Sequence, residues 1–109
     1  MSLIEKMRKA RRLNVEAGGF TFVVRCPTDI EATRLGQAGI ADMLTFVVDW
    51  KGVQEIHLIP GGSAVDVPFN ADVCQEFLAY RPDLWGPISE GVIGAYNRHA
   101  AELETLAKN

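Results

Sequence analysis

Two cysteines and two histidines are all that this 109-residue chain offers to soft-metal or thiol chemistry. Cys26 and Cys74 lie far apart, and no histidine stands near either at ligand spacing. That excludes the zinc-finger and Cys-x-x-Cys patterns and predicts two buried thiols in a reducing compartment. His57 and His99 are solitary, so both read as structural histidines. Nucleophile motifs are missing as well: "ISEGV" (88–92) lacks the glycine two residues before its serine. Pro60-Gly61-Gly62-Ser63 lacks the Lys-Ser/Thr and the following helix of a phosphate loop, and reads as a turn. The longest apolar run, "IADMLTFVV" (40–48), contains Asp42. It falls far short of the ~20 residues that cross a bilayer. The start of the chain is charged and amphipathic, without the apolar stretch of a signal peptide. These absences predict a protein without catalytic residues, metal, cofactor or membrane span.

What is present is ordinary globular material, with 48% hydrophobic and 23% charged residues. The length predicts one domain, 1–109, able to bury a core without disulfides. The net charge of −3 is unevenly spread. Residues 1–17 carry five Lys/Arg against two Asp/Glu, a net +3, and the remainder carries six against twelve, a net −6. An acidic body repels a phosphate backbone. The basic run "KMRKARR" (6–12) has no aromatic residue interleaved to stack on bases. Its plainest reading is a solvated helix face, and the next is a docking arm for an acidic partner or another copy's acidic body.

Residues 2–16 read as a first helix, with Ser2 and Glu5 at capping-box spacing and Gly18-Gly19 ending the segment. "FTFVVRC" (20–26) reads as a strand stopped by Pro27. Residues 27–52 read as helical, opened by a Thr28/Glu31 capping box and closed by Gly52 as a left-handed cap. Ile30, Leu35, Ile40, Met43, Leu44, Val47 and Val48 are core candidates there. Gly36 and Gly39 suggest a bend, close packing or two shorter helices. "EIHLI" (55–59) reads as a short strand, Pro60-Gly61-Gly62 as a turn, and "AVDVPF" (64–69) as an edge-like extended piece. Asn70 caps a helix over 71–80, with Val73, Phe77 and Tyr80 on one side. Arg81-Pro82 breaks it, and Asp83 caps a last helix of about 23 residues. Leu84, Ile88, Val92, Ala95/Tyr96, His99, Leu103 and Leu106 form its apolar stripe. The sum is an α+β fold, predominantly helical, with a short antiparallel β hairpin packed on about four helices.

A break between two helices is the outline of a helix-turn-helix DNA reader. The second helix, however, opens with Asp83, Trp85 and Glu90 and has no Lys or Arg before Arg98, so its tip would face phosphates with the wrong charge.

Across most of its length the order of motifs resembles the tail assembly chaperones of long-tailed bacteriophages and prophages. The resemblance lies in "VVRCPTD" (23–29), "VVDWKGV" (47–53), "LIPGGSAVDVPF" (58–69), "YRPDLWGPI" (80–88), "AYNRH" (95–99) and "LAKN" (106–109). It implies a non-enzymatic protein without cofactor that works in the host bacterial cytoplasm. Such chaperones act in several copies, coat the tape measure protein, help recruit the major tail protein and are absent from the mature virion. They often occur in a short form and a frameshift-extended form. A coating role calls for uncovered apolar surface and self-association. The candidate interaction residues are Lys6, Lys9, Arg11 and Arg12 in the basic segment, read as the docking arm within 1–17. Trp85, Ile88, Val92, Tyr96, His99 and Leu103 on the last helix complete the set. The competing readings are a structural minor tail or connector component and a small helix-turn-helix-like DNA-binding regulator.

Overall fold

The Gly18-Gly19 pair organises the first third of the chain. In the computed structural model, which describes residues 2–108 (the side chain of Lys108 excepted), both glycines have positive φ, +60° and +84°. That is the backbone of a two-residue hairpin turn whose twist matches the strands it joins. It pairs β1 (Leu13–Ala17) with β2 (Phe20–Val24), antiparallel, from Ala17↔Phe20 to Leu13↔Val24. The expected helix over 2–16 is therefore cut short. Only α1 (Leu3–Ala10) is helical, capped by Ser2, whose Oγ accepts the Glu5 N–H at 3.1 Å. Leu13, Val15 and Ala17 alternate inward with the two-residue period of a strand.

The expected helix over 27–52 also divides. The Thr28/Glu31 box forms, and it opens only the one-turn α2 (Asp29–Ala32). A 3₁₀ turn (Leu35–Gln37), which contains Gly36, and α3 (Ile40–Leu44), which starts after Gly39, follow. "VVDWK" is then a strand, β3 (Val47–Lys51), antiparallel to β2 with a bulge at Val23/Val24. The sheet order is β1-β2-β3. Gly52 does have a positive φ, +85°, but it ends a strand and not a helix. Ile30 and Ile40 are exposed, not core. The reason is that neither α2 nor α3 is long enough to bury a full stripe.

"EIHL" forms α4 (Glu55–Leu58), a single helical turn where a strand was expected. Residues 64–69 are extended as expected and bond back along residues 53–55, with Val67 N–H donating to Val53 O at 2.9 Å. Asn70 caps α5 (Ala71–Ala79), its Oδ1 accepting from the N–H of Asp72 and Val73. Cys74, Phe77 and Leu78 turn inward, while Val73 and Tyr80 stay exposed. The last helix, α6 (Pro82–Lys108), starts two residues earlier than a cap at Asp83 would place it. Pro82 occupies its first position, where a missing N–H costs nothing. Asp83 thus lies in the first turn and is not the cap; its carboxylate instead takes two bonds from Arg81, at 3.0 and 2.9 Å.

The core lies between one face of the sheet and the helices. Phe20, Phe22, Val24, Val47 and Trp50 meet Met43, Leu44, Phe77, Leu78, Leu84, Ile88 and Val92 there. Trp50 Nε1 donates to Val67 O at 2.8 Å, which fastens the extended 64–69 segment over the sheet. β1 runs against α6, Val15 facing Gly91 and Leu13 facing Gly94. The close approach at Gly91 is possible because glycine has no Cβ. Past Ala95 the helix outruns the sheet, and its stripe continues into solvent with Leu103 45% and Leu106 70% exposed. The fold is α+β, as expected, with six helices among the described residues and a three-stranded sheet where a hairpin and about four helices were expected.

Candidate functional site

Where α6 leaves the sheet, it borders a cleft of about 710 Å³. Its walls come from four places: the end of α1 with the two residues after it, the β2–α2 connection, Val48 of β3, and the distal part of α6. Arg8, Arg11, Arg12 and Arg25 point at it, together with His99 and Leu103. Sequence-expected residues Arg11, Arg12, His99 and Leu103 are thus brought together from opposite ends of the chain. Lys6 and Lys9 are exposed on α1 outside the cleft.

Arg25 is held rigidly. Its guanidinium lies over the Phe46 ring at 4.2 Å and forks onto Glu31 at 2.7 and 2.8 Å. The pair shifts both groups: the Arg25 bond and the Thr28 N–H hold the Glu31 carboxyl at about 2, and Glu31 raises Arg25. Tyr96 OH donates to Asp29 Oδ1 at 2.8 Å, which ties α6 to the start of α2 and raises the phenol above its ordinary value. The Cys26 thiol is half-buried beside them and reaches Ala95 O at 3.6 Å; burial raises it, against the pull of Arg11. Cys74 is fully buried, and desolvation pushes it to about 12. Among the described residues Arg8, Arg11 and Arg12 have no ion-pair partner, and no three His, Cys, Asp or Glu side chains gather as a metal site.

The remaining expected interaction residues serve the core. Ile88 and Val92 are fully buried against the sheet, because the inward stripe of α6 begins there and is uncovered only later. Trp85 packs at the edge of the core and donates Nε1–H to Leu78 O at 2.6 Å, closing the end of α5. The sequence reading missed Arg25 and Glu31 as a pair, although both lie inside or next to the "VVRCPTD" motif. It also missed a second groove, of about 400 Å³, between α4 and α5. Val73, Phe77 and Tyr80 line it with Glu76 and His57.

Compared with known protein families, with curated proteins and with solved structures, the chain matches none.

Proposed function

We propose that the protein is a non-enzymatic tail assembly chaperone. It binds the tape measure protein, promotes tail tube assembly with the major tail protein, works as a homo-oligomer in the host bacterial cytoplasm, and is absent from the mature virion. It takes no cofactor, nucleic acid or membrane as partner. The reading draws on the motif order described above. The observation that carries it is the distal half of α6. Tyr96, His99, Leu103 and Leu106 recur at threes and fours along it; Tyr96 and His99 are half-buried, His99 in the cleft wall, and Leu103 and Leu106 stand exposed. An apolar helical stripe of this kind fits a second helix laid along it. The arginines beside it supply attraction for acidic side chains on that partner. No helix among the described residues is long and apolar enough to cross a membrane.

The test is co-expression with the tape measure protein encoded by the same genome. The tape measure protein stays soluble and co-purifies with the wild type. Leu103→Asp/Leu106→Asp, which alters only exposed positions, loses it at an unchanged melting temperature. Failure of wild-type co-purification overturns the proposal. So does the presence of the chain in purified virions, which favours a structural tail component instead.

A further inference from the structure

The apolar side of α1 is bare. Leu3, Ile4 and Met7 are 72%, 60% and 46% exposed, and the helix has no buried residue. A helix of eight residues is marginal in water and normally owes its stability to tertiary packing. Around that side stand Lys6, Arg8 and Lys9, against a single acid, Glu5.

The α4–α5 groove has the complementary character. Phe77 forms its floor, in edge-on contact with Phe20 at 5.7 Å, and the exposed Val73 and Tyr80 form its rim. Glu76 lines it, with Asp72 one turn earlier on the same helix. The one arginine there, Arg81, is already matched by Asp83. An apolar helix with basic flanks thus matches an apolar groove that has Glu76 in its wall and Asp72 beside it.

The two lie at opposite ends of β1. β1 spans about 17 Å. Its Leu13 end leads into α1, and Arg8 of α1 sits in the cleft with His99 and Leu103. Its other end, at Gly18, meets Leu84 and Arg81, beside the groove. In this arrangement α1 does not reach its own groove. We infer that α1 of one copy docks, apolar side inward, in the α4–α5 groove of a second copy. The contact joins two different patches, so every added copy leaves one free helix and one free groove. Such a contact propagates head to tail until a ring closes or a filament grows.

The inference deepens the self-association in the proposed chaperone role. Its test uses the chain alone, so failure here leaves capture of the tape measure protein to be judged by its own experiment. Two variants suffice: Leu3→Asp/Met7→Asp disables the helix, and Val73→Glu/Tyr80→Glu disables the groove. All four positions are exposed, and circular-dichroism melts verify that both variants fold. In sedimentation velocity the wild type grows in size with concentration, while each variant alone stays monomeric. An equimolar mixture of the two forms a dimer and nothing larger, because it contains one working helix and one working groove. A wild type that is monomeric throughout, variants that assemble like the wild type, or a mixture that stays monomeric overturns the inference.

Discussion

Replacing Gly91 by alanine separates two effects that usually point the same way. In a helix interior alanine is worth about 1 kcal/mol over glycine. At Gly91, however, an added Cβ runs into Cγ2 of Val15, well inside contact distance. Val15 is a stiff β-branched residue on a paired strand, so the clash has no flexible chain end to absorb it. Overpacking of this kind costs about 1–3 kcal/mol. With the clash at the upper end, the net loss is about 2 kcal/mol, or roughly 8–16 °C in Tm for a domain of this size. Gly94 is the control: its nearest neighbour, Leu13 Cδ2, is 3.9 Å away, an ordinary contact. Gly94→Ala therefore gains about 1 kcal/mol. In a Val15→Ala background the sign at Gly91 reverses, because the new methyl group then enters the space that valine vacated. The coupling is about 3 kcal/mol, read from urea unfolding followed at 222 nm as a double-mutant cycle. If Gly91→Ala is neutral or stabilising alone, or unchanged by Val15→Ala, the packing of α6 on β1 described above is wrong.

Two further outcomes concern ionisation. Glu31 is held at about 2, below the ordinary glutamate value, so its contribution is fully present above pH 5 and is lost as pH falls toward 2. The carboxylate is a third exposed, so solvent screening leaves about 1 kcal/mol of it. Urea midpoints of the wild type and Glu31→Gln should differ at pH 7, draw together below the ordinary carboxyl range and meet only at about pH 2 and below, and a pH-independent gap rejects the ion pair as its source. For the thiols, alkylation at pH 8 modifies Cys26 first. Cys74, buried and pushed to about 12, reacts only as fast as the protein opens. Equal rates in native buffer rule out the packing of α5.

Local chemistry was legible wherever a side chain reaches its own backbone. The Thr28/Glu31 box, the Asn70 cap and the Pro60-Gly61 turn all stand where the residue types place them. Segments whose state depends on a distant partner were not. "MLTFVVDW" (43–50) has apolar residues spaced for either period, and what makes a strand of Val47–Lys51 is the edge of β2. Leu13–Ala17 was absorbed into a helical pattern because Gly18-Gly19 stops a helix and turns a hairpin equally well. The cleft was half legible. Arg11, Arg12, His99 and Leu103 stand out singly, but nothing in the sequence says that β1, by running back along α6, brings the first and last segments together. Ile88 and Val92 were misplaced for a related reason. A stripe shows which side of a helix is apolar, not how far along it the neighbours extend.

That last point gives α6 two stabilities along one backbone. From Leu84 to Ala95 its hydrogen bonds break only with the core. Beyond Ala95 the helix is tied to the body by the Tyr96–Asp29 bond at 2.8 Å and the cleft wall at His99 and Leu103, and its later turns rest mainly on their own propensity and the Arg98–Glu102 pair at 3.1 Å. The distal turns therefore fray and re-form many times within the lifetime of one folded molecule. A partner laid along them spends part of its binding energy on ordering those turns, and so binds more weakly and leaves more readily than the same area on a rigid helix would allow. In the proposed chaperone role, where a contact is made along a growing structure and later given up, the length by which the helix exceeds its sheet builds in release.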